Sequence, residues 1–251
     1  MSSTGLKSRL PALFGTLIFL ALWEGIGRIG WLGPSLPALS DVAAVFERPA
    51  VRDLFLRALR VTAGSAGLAL LAGAGIAIGL SLLGSLAPPL QRGLDVLSSG
   101  IYAIPAIAFG PVLILLAGPE WTPMLLGTVS AFFPIHVALG SQLRYDNPAR
   151  RDFARVVGAS RARVFAFVDV PAAVPAFLDG LRLAAPAAVL GVVLGEWFGA
   201  PRGLGVIIIS ALQNIRIAHM WAAALLCVAC SLLAYVVLTL AHRRAVARFS
   251  V

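Results

Sequence analysis

The chain has 251 residues, 59% of them hydrophobic and 12% charged, with a mean hydropathy of +0.93 and a formal net charge of +9. A soluble domain is roughly one quarter charged, so this composition leaves too little polar surface for a water-soluble fold and places the chain in the membrane class. The excess of arginine lies between apolar runs rather than on one solvated face, which fits orientation in a bilayer and not nucleic-acid binding.

A helix needs about 20 apolar residues to cross the hydrocarbon core. Six segments qualify, approximately 10–31, 60–83, 94–117, 121–143, 176–199 and 218–241. The expectation is an all-α membrane protein of about six transmembrane helices, with residues 1–251 forming a single transmembrane domain. Its parts are an N-terminal helix 10–31, a core 60–241 and a loop 144–171.

The first segment follows Lys7 and Arg9 and has the outline of a signal peptide. Glu24 and Arg28 stand where a small-residue cleavage site would be, so it reads as a retained membrane helix. The stretch 33–57 opens GPSLPALSDV. Its prolines predict a turn, and Ser40 ahead of Val42, Val45 and Phe46 predicts the N-cap of a short amphipathic helix.

In the second segment Ser65, Ala69, Gly73, Ala77 and Ser81 recur at every fourth position, beside a GxxxG formed by Gly75 and Gly79. Small residues in a stripe admit a neighbouring backbone, either for internal packing or for a dimer or gate contact. Pro105 and Pro111 predict a break in the third segment, which a membrane tolerates where protein or a cavity satisfies the freed backbone. Ser98, Ser99 and Tyr102 precede that break and are candidates to line a cavity. His136, after Pro134 in the fourth segment, faces either a water-filled path or a neighbouring helix.

Between the fourth and fifth segments the chain carries Arg150, Arg151, Arg155, Arg161 and Arg163. Asn147-Pro148 predicts a helix start, and Gly158 a left-handed stop. Ser160 predicts the cap of a second short helix ending before Pro171. Phe153, Val156 and Val157 share one face of the first helix, and Val164, Phe165 and Val168 one face of the second. Two short helices at a glycine elbow, apolar knob inside a basic rim, suit a docking surface for a soluble partner or a clamp on lipid headgroups.

Asp179 and Arg182 are spaced to pair at i, i+3. Glu196, near the outer end of the fifth segment, reads either as lining the translocation path or gate, or as a partner of Arg202 or Arg216 capping the following loop. Residues 203–214 are too short to cross and too apolar for a free loop, which predicts a re-entrant or interfacial piece ending at Gln213 and Asn214. Cys227 and Cys230 lie one turn apart in an apolar run and read as packing residues. With both termini inside, the cytoplasmic segments hold Lys7, Arg9, Arg92, Arg144, Arg150, Arg151, Arg155, Arg161, Arg163, Arg243, Arg244 and Arg248. The other side holds Arg28, Arg48, Arg52, Arg57, Arg60, Arg202 and Arg216, and the larger group marks the cytoplasm.

The run Asp152-Phe153-Ala154, three residues, Gly158, nine residues, then Val168-x-Val170-Pro171 resembles the EAA motif of ABC-importer permeases. It departs from that motif by Asp for Glu, Phe for the first Ala, and Val for Ile and Leu. PSLP at 34–37, RVTAGSAG at 60–67, IPAIAFGP at 104–111, GLRLA at 180–184, Glu196 and RGLG at 202–205 resemble the nitrate/sulfonate/taurine-type subfamily. The resemblance implies a type I importer (MetI-like) membrane domain with a cytoplasmic coupling helix, in a multi-pass protein of the bacterial inner membrane.

It also implies partners: two ATPase subunits carrying ATP and Mg, a second permease subunit (a homodimer), and an extracytoplasmic substrate-binding protein, within membrane lipid. The coupling residues it implies are Asp152, Phe153, Ala154, Arg155, Gly158, Ala159, Ser160, Arg161, Val168 and Pro171. Path candidates are Glu196, Tyr102, Ser99, His136, Gln213 and Asn214. The sequence contains no GxxxxGK[ST] phosphate loop, so ATP hydrolysis is expected on a separate subunit and no cofactor in this chain. The solute expected from the resemblance is a small organic or inorganic anion, such as a sulfonate, taurine or nitrate, or a pyrimidine-type precursor. An ion-coupled secondary transporter would share the hydropathy but should show paired broken helices in inverted halves. A membrane enzyme would need clustered acids and histidines, and His136, His219 and His242 are scattered.

Overall fold

The computed structural model describes residues 10–143, 152, 156 and 158–249, and the regular elements among them are helices. Helix α1 is Leu10–Ile29, α2 is Leu39–Ala44, α3 is Pro49–Leu86, α4 is Pro88–Ala103 and α5 is Gly110–Ala117. Helix α6 is Thr122–Leu143 and α7 is Arg161–Val164; α8 is Val170–Glu196, α9 Leu204–Gln213 and α10 Ile217–Phe249. By length and composition four helices can cross a membrane: Pro49–Leu86, Thr122–Leu143, Phe165–Glu196 and Ile217–Ala247. The expected third crossing is a pair, Pro88–Ala103 and Ala106–Ala117, bent by 90°. Counting that pair as one gives five spans against about six expected, and α1 is a further apolar helix of 20 residues.

Prolines explain most of the boundaries. Ile104 is extended, as a residue before proline prefers, and this ends α4. Pro111 sits in the first turn of α5, where its missing N–H costs nothing. Pro49 starts α3 in the same way, so the part of the 33–57 stretch from Pro49 onward belongs to one 38-residue helix with the second crossing. At 1.5 Å per residue that helix is about 57 Å long, and its first turns stand beyond a ~30 Å hydrocarbon core.

One predicted cap and one predicted helix end are corrected. Ser40 does not cap α2: Ala38 holds that position, and Ser40 donates its N–H (3.1 Å) and hydroxyl (2.8 Å) to the Glu24 carboxylate of α1. The second short helix of the 144–171 loop does begin after Ser160, whose carbonyl accepts from the Val164 N–H. It does not stop before Pro171. A π-turn over Phe165–Asp169 carries it straight into α8, with the Val170 N–H bonded to the Phe165 carbonyl, so the wider turn absorbs the proline. The predicted apolar knob of that helix also turns inward. Val164 is buried and Phe165 packs against the cluster of Leu139, Leu143 and Ala173, while Phe167 is 79% exposed. The predicted start at Asn147-Pro148, with Phe153 and Val157, lies outside the described residues.

Lipid tails are as apolar as leucine, so membrane helices associate through close packing. Helices α6 and α8 supply it with glycines. A Cβ on Gly191 of α8 would lie 2.5 Å from Ser130 Oγ and 2.7 Å from the Leu126 carbonyl; one on Gly195 would lie 2.5 Å from Pro123 Cα. On α6, a Cβ on Gly127 would meet Val192 of α8 at 2.7 Å and Ala69 of α3 at 2.8 Å. The α3 stripe of Ala69, Gly73, Ala77 and Ser81 is buried in this contact, which settles it as internal packing. The adjacent Gly75 and Gly79 face open space. Cys227 and Cys230 are free thiols packed against Ala66, Ala69 and Val189.

A collar closes the bundle at its α9 end. Val42 of α2, Phe55 and Ala58 of α3, Leu204 of α9 and Ala222 and Ala223 of α10 form one buried cluster. The PSLP turn ties α1 to it: Trp23 donates to the Pro37 carbonyl and Trp221 to the Ser35 carbonyl, both at 3.0 Å, with the indoles 4.8 Å apart.

Replacing Gly191 by alanine gains about 1 kcal/mol of helix propensity. The forced contact with backbone costs about 1–3 kcal/mol, so Gly191→Ala is expected to lower the thermal midpoint of the purified chain. Gly75→Ala, with nothing within 4 Å of its Cβ, is expected to leave it unchanged or slightly raised.

Candidate functional site

Helix α9 starts where the chain turns back after α8. The first N–H groups of a helix lack partners inside it. Here the Leu204 N–H donates to Thr62 Oγ1 of α3 (2.9 Å) and the Gly205 N–H to Glu196 Oε2 of α8 (2.7 Å). The Thr62 hydroxyl in turn donates to Glu196 Oε1 (2.7 Å), and Glu196 is 2% exposed. A carboxylate at a helix N-terminus also matches the helix dipole. The RGLG stretch is glycine-rich for a local reason. Gly203 has φ +144°, and a Cβ there would run into the Glu196 carboxyl group. A Cβ on Gly205 would lie 2.5 Å from the Val193 carbonyl. Among the described residues no ion pair joins Glu196 to Arg202 or Arg216, so that expectation is replaced by the Thr62–Gly205 pairing.

The break between α4 and α5 opens a cavity of about 280 Å³ against α6 and α8. Tyr102, Ile104, Pro105, Ser130, Leu190 and Leu194 contribute to its wall, and no charged side chain does. The Tyr102 ring stacks on Phe133 of α6, with centroids 4.1 Å apart and planes 12° from parallel. Ser130 is committed to the Leu126 carbonyl, which leaves the Tyr102 hydroxyl as the free polar feature of the lining. Ser99 is exposed on α4 outside this wall. Its neighbour Ser98 is buried, and its hydroxyl has no hydrogen-bond partner among the described residues.

His136 of α6 is 5% exposed and sits between two other helices. Its Nδ1 is 3.1 Å from Ser81 Oγ of α3, and its Nε2 is 3.4 Å from Asp95 Oδ1 of α4. Arg182 and Asp179 pair at 2.8 Å as the spacing predicted, and His242 of α10 joins them at 3.3 Å from the same carboxylate oxygen. Gln213 and Asn214 are exposed at the end of α9, where Asn214 Nδ2 donates to the Ser210 carbonyl.

At the other end of α8 lies the elbow. Gly158 has φ +61° and no heavy atom within 4 Å of a built Cβ. Asp152 and Val156 before it are helical and exposed, Val156 at 86%. Ala159 and Ser160 are non-helical, Val168 lies in the π-turn, and Pro171 is in the first turn of α8. Phe153, Ala154 and Arg155 lie outside the described residues, as does the Arg161 side chain.

The candidate residues therefore occupy separate places: Tyr102 at the cavity, His136 and Glu196 in helix contacts, Gln213 and Asn214 at the collar, and the coupling set around Gly158. Sequence reasoning missed Thr62 and Asp95. Thr62 lies inside RVTAGSAG on the inward face of α3, and Asp95 is a carboxylate within an apolar segment, a signal of function by itself.

The family described as binding-protein-dependent transport system inner membrane component matches residues 73–251. The chain is 32% identical over 205 residues to the formylaminopyrimidine transport permease protein ThiX of Halalkalibacterium halodurans, covering 80% of this chain and 81% of that one. It is 27% identical over 214 residues to the nitrate import permease protein NrtB of Synechococcus elongatus, covering 80% and 75%. A chain of the MetNI methionine ABC transporter, solved in an inward-facing conformation, has the same fold, with a TM-score of 0.67 at 18% identity over 79% of this chain and 99% of that chain.

Thr62→Val removes the donor to Glu196 and the acceptor for Leu204 at once. Each buried group left unsatisfied costs about 1–3 kcal/mol, so the variant is expected to lose about 2–4 kcal/mol of stability. Thr62→Ser keeps both bonds and is expected to melt close to the parent in a thermal-unfolding series.

Proposed function

Because the chain belongs to the binding-protein-dependent transport system inner membrane component family, and is thereby a multi-pass membrane permease subunit of an ABC importer, we propose that it moves a small solute inward on the energy of ATP hydrolysed by a partner subunit. The observation that carries this is the family match over residues 73–251, which takes in the broken helix, the Gly158 elbow and the whole of α8. The chain works as one transmembrane domain, since α2 and the start of α3 share a buried cluster with α9 and α10.

The coupling element is the segment from Asp152 to Pro171, with Phe153, Ala154, Arg155, Gly158, Ala159, Ser160, Arg161 and Val168. Two features support this. Gly158 has open space around it, and Val156 and Phe167 beside it are exposed apolar side chains. Its partner is a pair of ATPase subunits holding ATP and Mg, and a second copy of the permease completes the path. A binding protein delivers the solute to the α9 end. The loop arginines favour a cytoplasmic elbow and cytoplasmic termini.

Tyr102 at the break carries the path, with Ser99 one turn before it on the exposed side of α4 outside the cavity wall. The solute is drawn from the kinds that the relatives' names give, a pyrimidine-type precursor or a small anion such as nitrate. A mostly aliphatic wall with one aromatic ring, Tyr102, and no charged side chain supports the uncharged end of that range, because anion sites are built from cationic or N–H donors.

The test is reconstitution with ATPase and binding protein in proteoliposomes. Uptake of labelled solute is expected to require ATP; uptake without the ATPase that follows an imposed ion gradient would mean a secondary transporter instead. Gly158→Trp is expected to cut stimulation of the ATPase by the permease roughly tenfold or more, since a tenfold change takes only ~1.4 kcal/mol of docking energy. Its elution as a folded membrane protein should be unchanged, because the strain of a side chain at φ +61°, about 1–2 kcal/mol, is confined to an elbow with open space around it.

A further inference from the structure

Of the four spans α10 is the least buried. Beside its contact with α8 runs a furrow of about 530 Å³, bounded toward the collar by Ile208 of α9. Val189 and Val193 of α8 are buried in its floor, and Leu190, Val228 and Leu232, each more than half exposed, form its rims. Pro186 and Tyr235 stand at its elbow end, and no charged side chain lines it. From Ala224 to Tyr235 the α10 wall is about 17 Å long. Apolar side chains that face a void forfeit their dispersion contacts, so a recess of this kind within a bilayer is filled by something apolar.

Toward the elbow the character of both helices changes. Arg182 stands one turn before Pro186 on the same face of α8, and His242 two turns after Tyr235 on the same face of α10. Asp179 brings the two together, with Arg182 Nη2 at 2.8 Å and His242 Nε2 at 3.3 Å from its Oδ1. A guanidinium has five N–H donors, and Arg182 Nε has no hydrogen-bond partner among the described residues. Arg243 follows His242, exposed and in no ion pair among the described residues. Two arginines against one carboxylate leave the foot of the furrow cationic.

We propose that the furrow and its foot bind one anionic phospholipid, with an acyl chain lying along α8 and α10 and the phosphate held at Arg182 and Arg243. Basic pockets between membrane helices select anionic headgroups, and here such a pocket opens directly onto an apolar channel. A second copy of the chain suits the furrow less well. Helices in lipid associate through small residues, whereas these rims are leucine and valine, and the open small residues Gly75 and Gly79 lie on α3. The lipid bridges α10 to α8, the helix that runs from the elbow to Glu196. The site depends on the chain crossing a bilayer and not on what it transports.

The experiment is native mass spectrometry of the full chain in detergent, mixed with phosphatidylglycerol and phosphatidylcholine of the same acyl chains. The parent is expected to retain one lipid per chain and to prefer phosphatidylglycerol roughly tenfold or more, since an arginine near the headgroups contributes about fivefold. Arg243→Gln is expected to cut the preference about fivefold, and the double variant with Arg182→Gln to bring it within about twofold of parity. Arg244→Gln removes the same charge from an exposed position on the other side of α10 and is expected to keep the preference. Ser231→Phe projects a ring into the furrow and is expected to abolish retention of either lipid. Equal retention of the two lipids by the parent, an Arg244→Gln loss matching that of Arg243→Gln, or a lipid still retained by Ser231→Phe would overturn the site. So would a dimer of chains that carries no lipid, which would assign the furrow to a second copy. If the double variant does not fold, the parent and the two exposed single variants decide.

Discussion

Helices α6 and α8 meet backbone to backbone, and the positions of the other elements follow from that contact. Side-chain bulk at Gly127, Gly180, Gly191 or Gly195 would force the pair apart. In lipid no hydrophobic gain is available to restore the contact. Gly127 is the centre, since Val192 of α8 and Ala69 of α3 both close on it. Thr62 lies two turns along α3 from Ala69, and Glu196 one turn along α8 from Val192. The approach of three backbones at one glycine thus brings Thr62 and Glu196 within bonding distance. The α9 N-terminus can then be satisfied without water.

The polar groups at membrane depth form joints between helices. Glu196 has both oxygens taken by short hydrogen bonds and is closed off by Gly203 and Gly205. Breaking it would leave a buried carboxylate and a bare helix end, so it belongs to the permanent frame. Asp179, Arg182 and His242 join α8 to α10 at the opposite end of the bundle. His136 of α6 joins two further helices, with Nδ1 3.1 Å from Ser81 Oγ of α3 and Nε2 3.4 Å from Asp95 Oδ1 of α4.

Hydropathy and proline placement made the long helices legible, including the break, because Pro105 and Pro111 act through local geometry that needs no tertiary information. The glycine stop at 158 was legible for the same reason, and its φ of +61° is the left-handed value that a stop of this kind needs. Errors arose where a residue found a distant partner. Ser40 has the sequence signature of a cap, but Glu24, 16 positions away, took its N–H and hydroxyl. Pro171 looked like a helix end, but a π-turn accommodated it, and a π-turn has no short sequence pattern. Glu196 was legible as important and not as a joint, since its partner Thr62 is 134 residues away.

Helix α8 is the element that touches both ends of the proposed transport path. It begins beyond the Gly158 elbow, contributes Ala187, Leu190 and Leu194 to the cavity wall, and ends at the Glu196 joint. A helix of 27 residues is about 40 Å long, and it runs from the elbow past the cavity to a hydrogen-bonded joint at its far end. Helix α6 must move with it, because their glycine contact leaves no room for one to slide over the other. Helix α4 faces both helices across the cavity with one buried residue along its length, so it is held more loosely there than α6 and α8 hold each other. A tightly packed α6–α8 pair beside a loosely held α4 leaves the proline break, where α4 gives way to a short 3-10 turn over Ala106–Phe109 before α5, as the joint in the cavity wall.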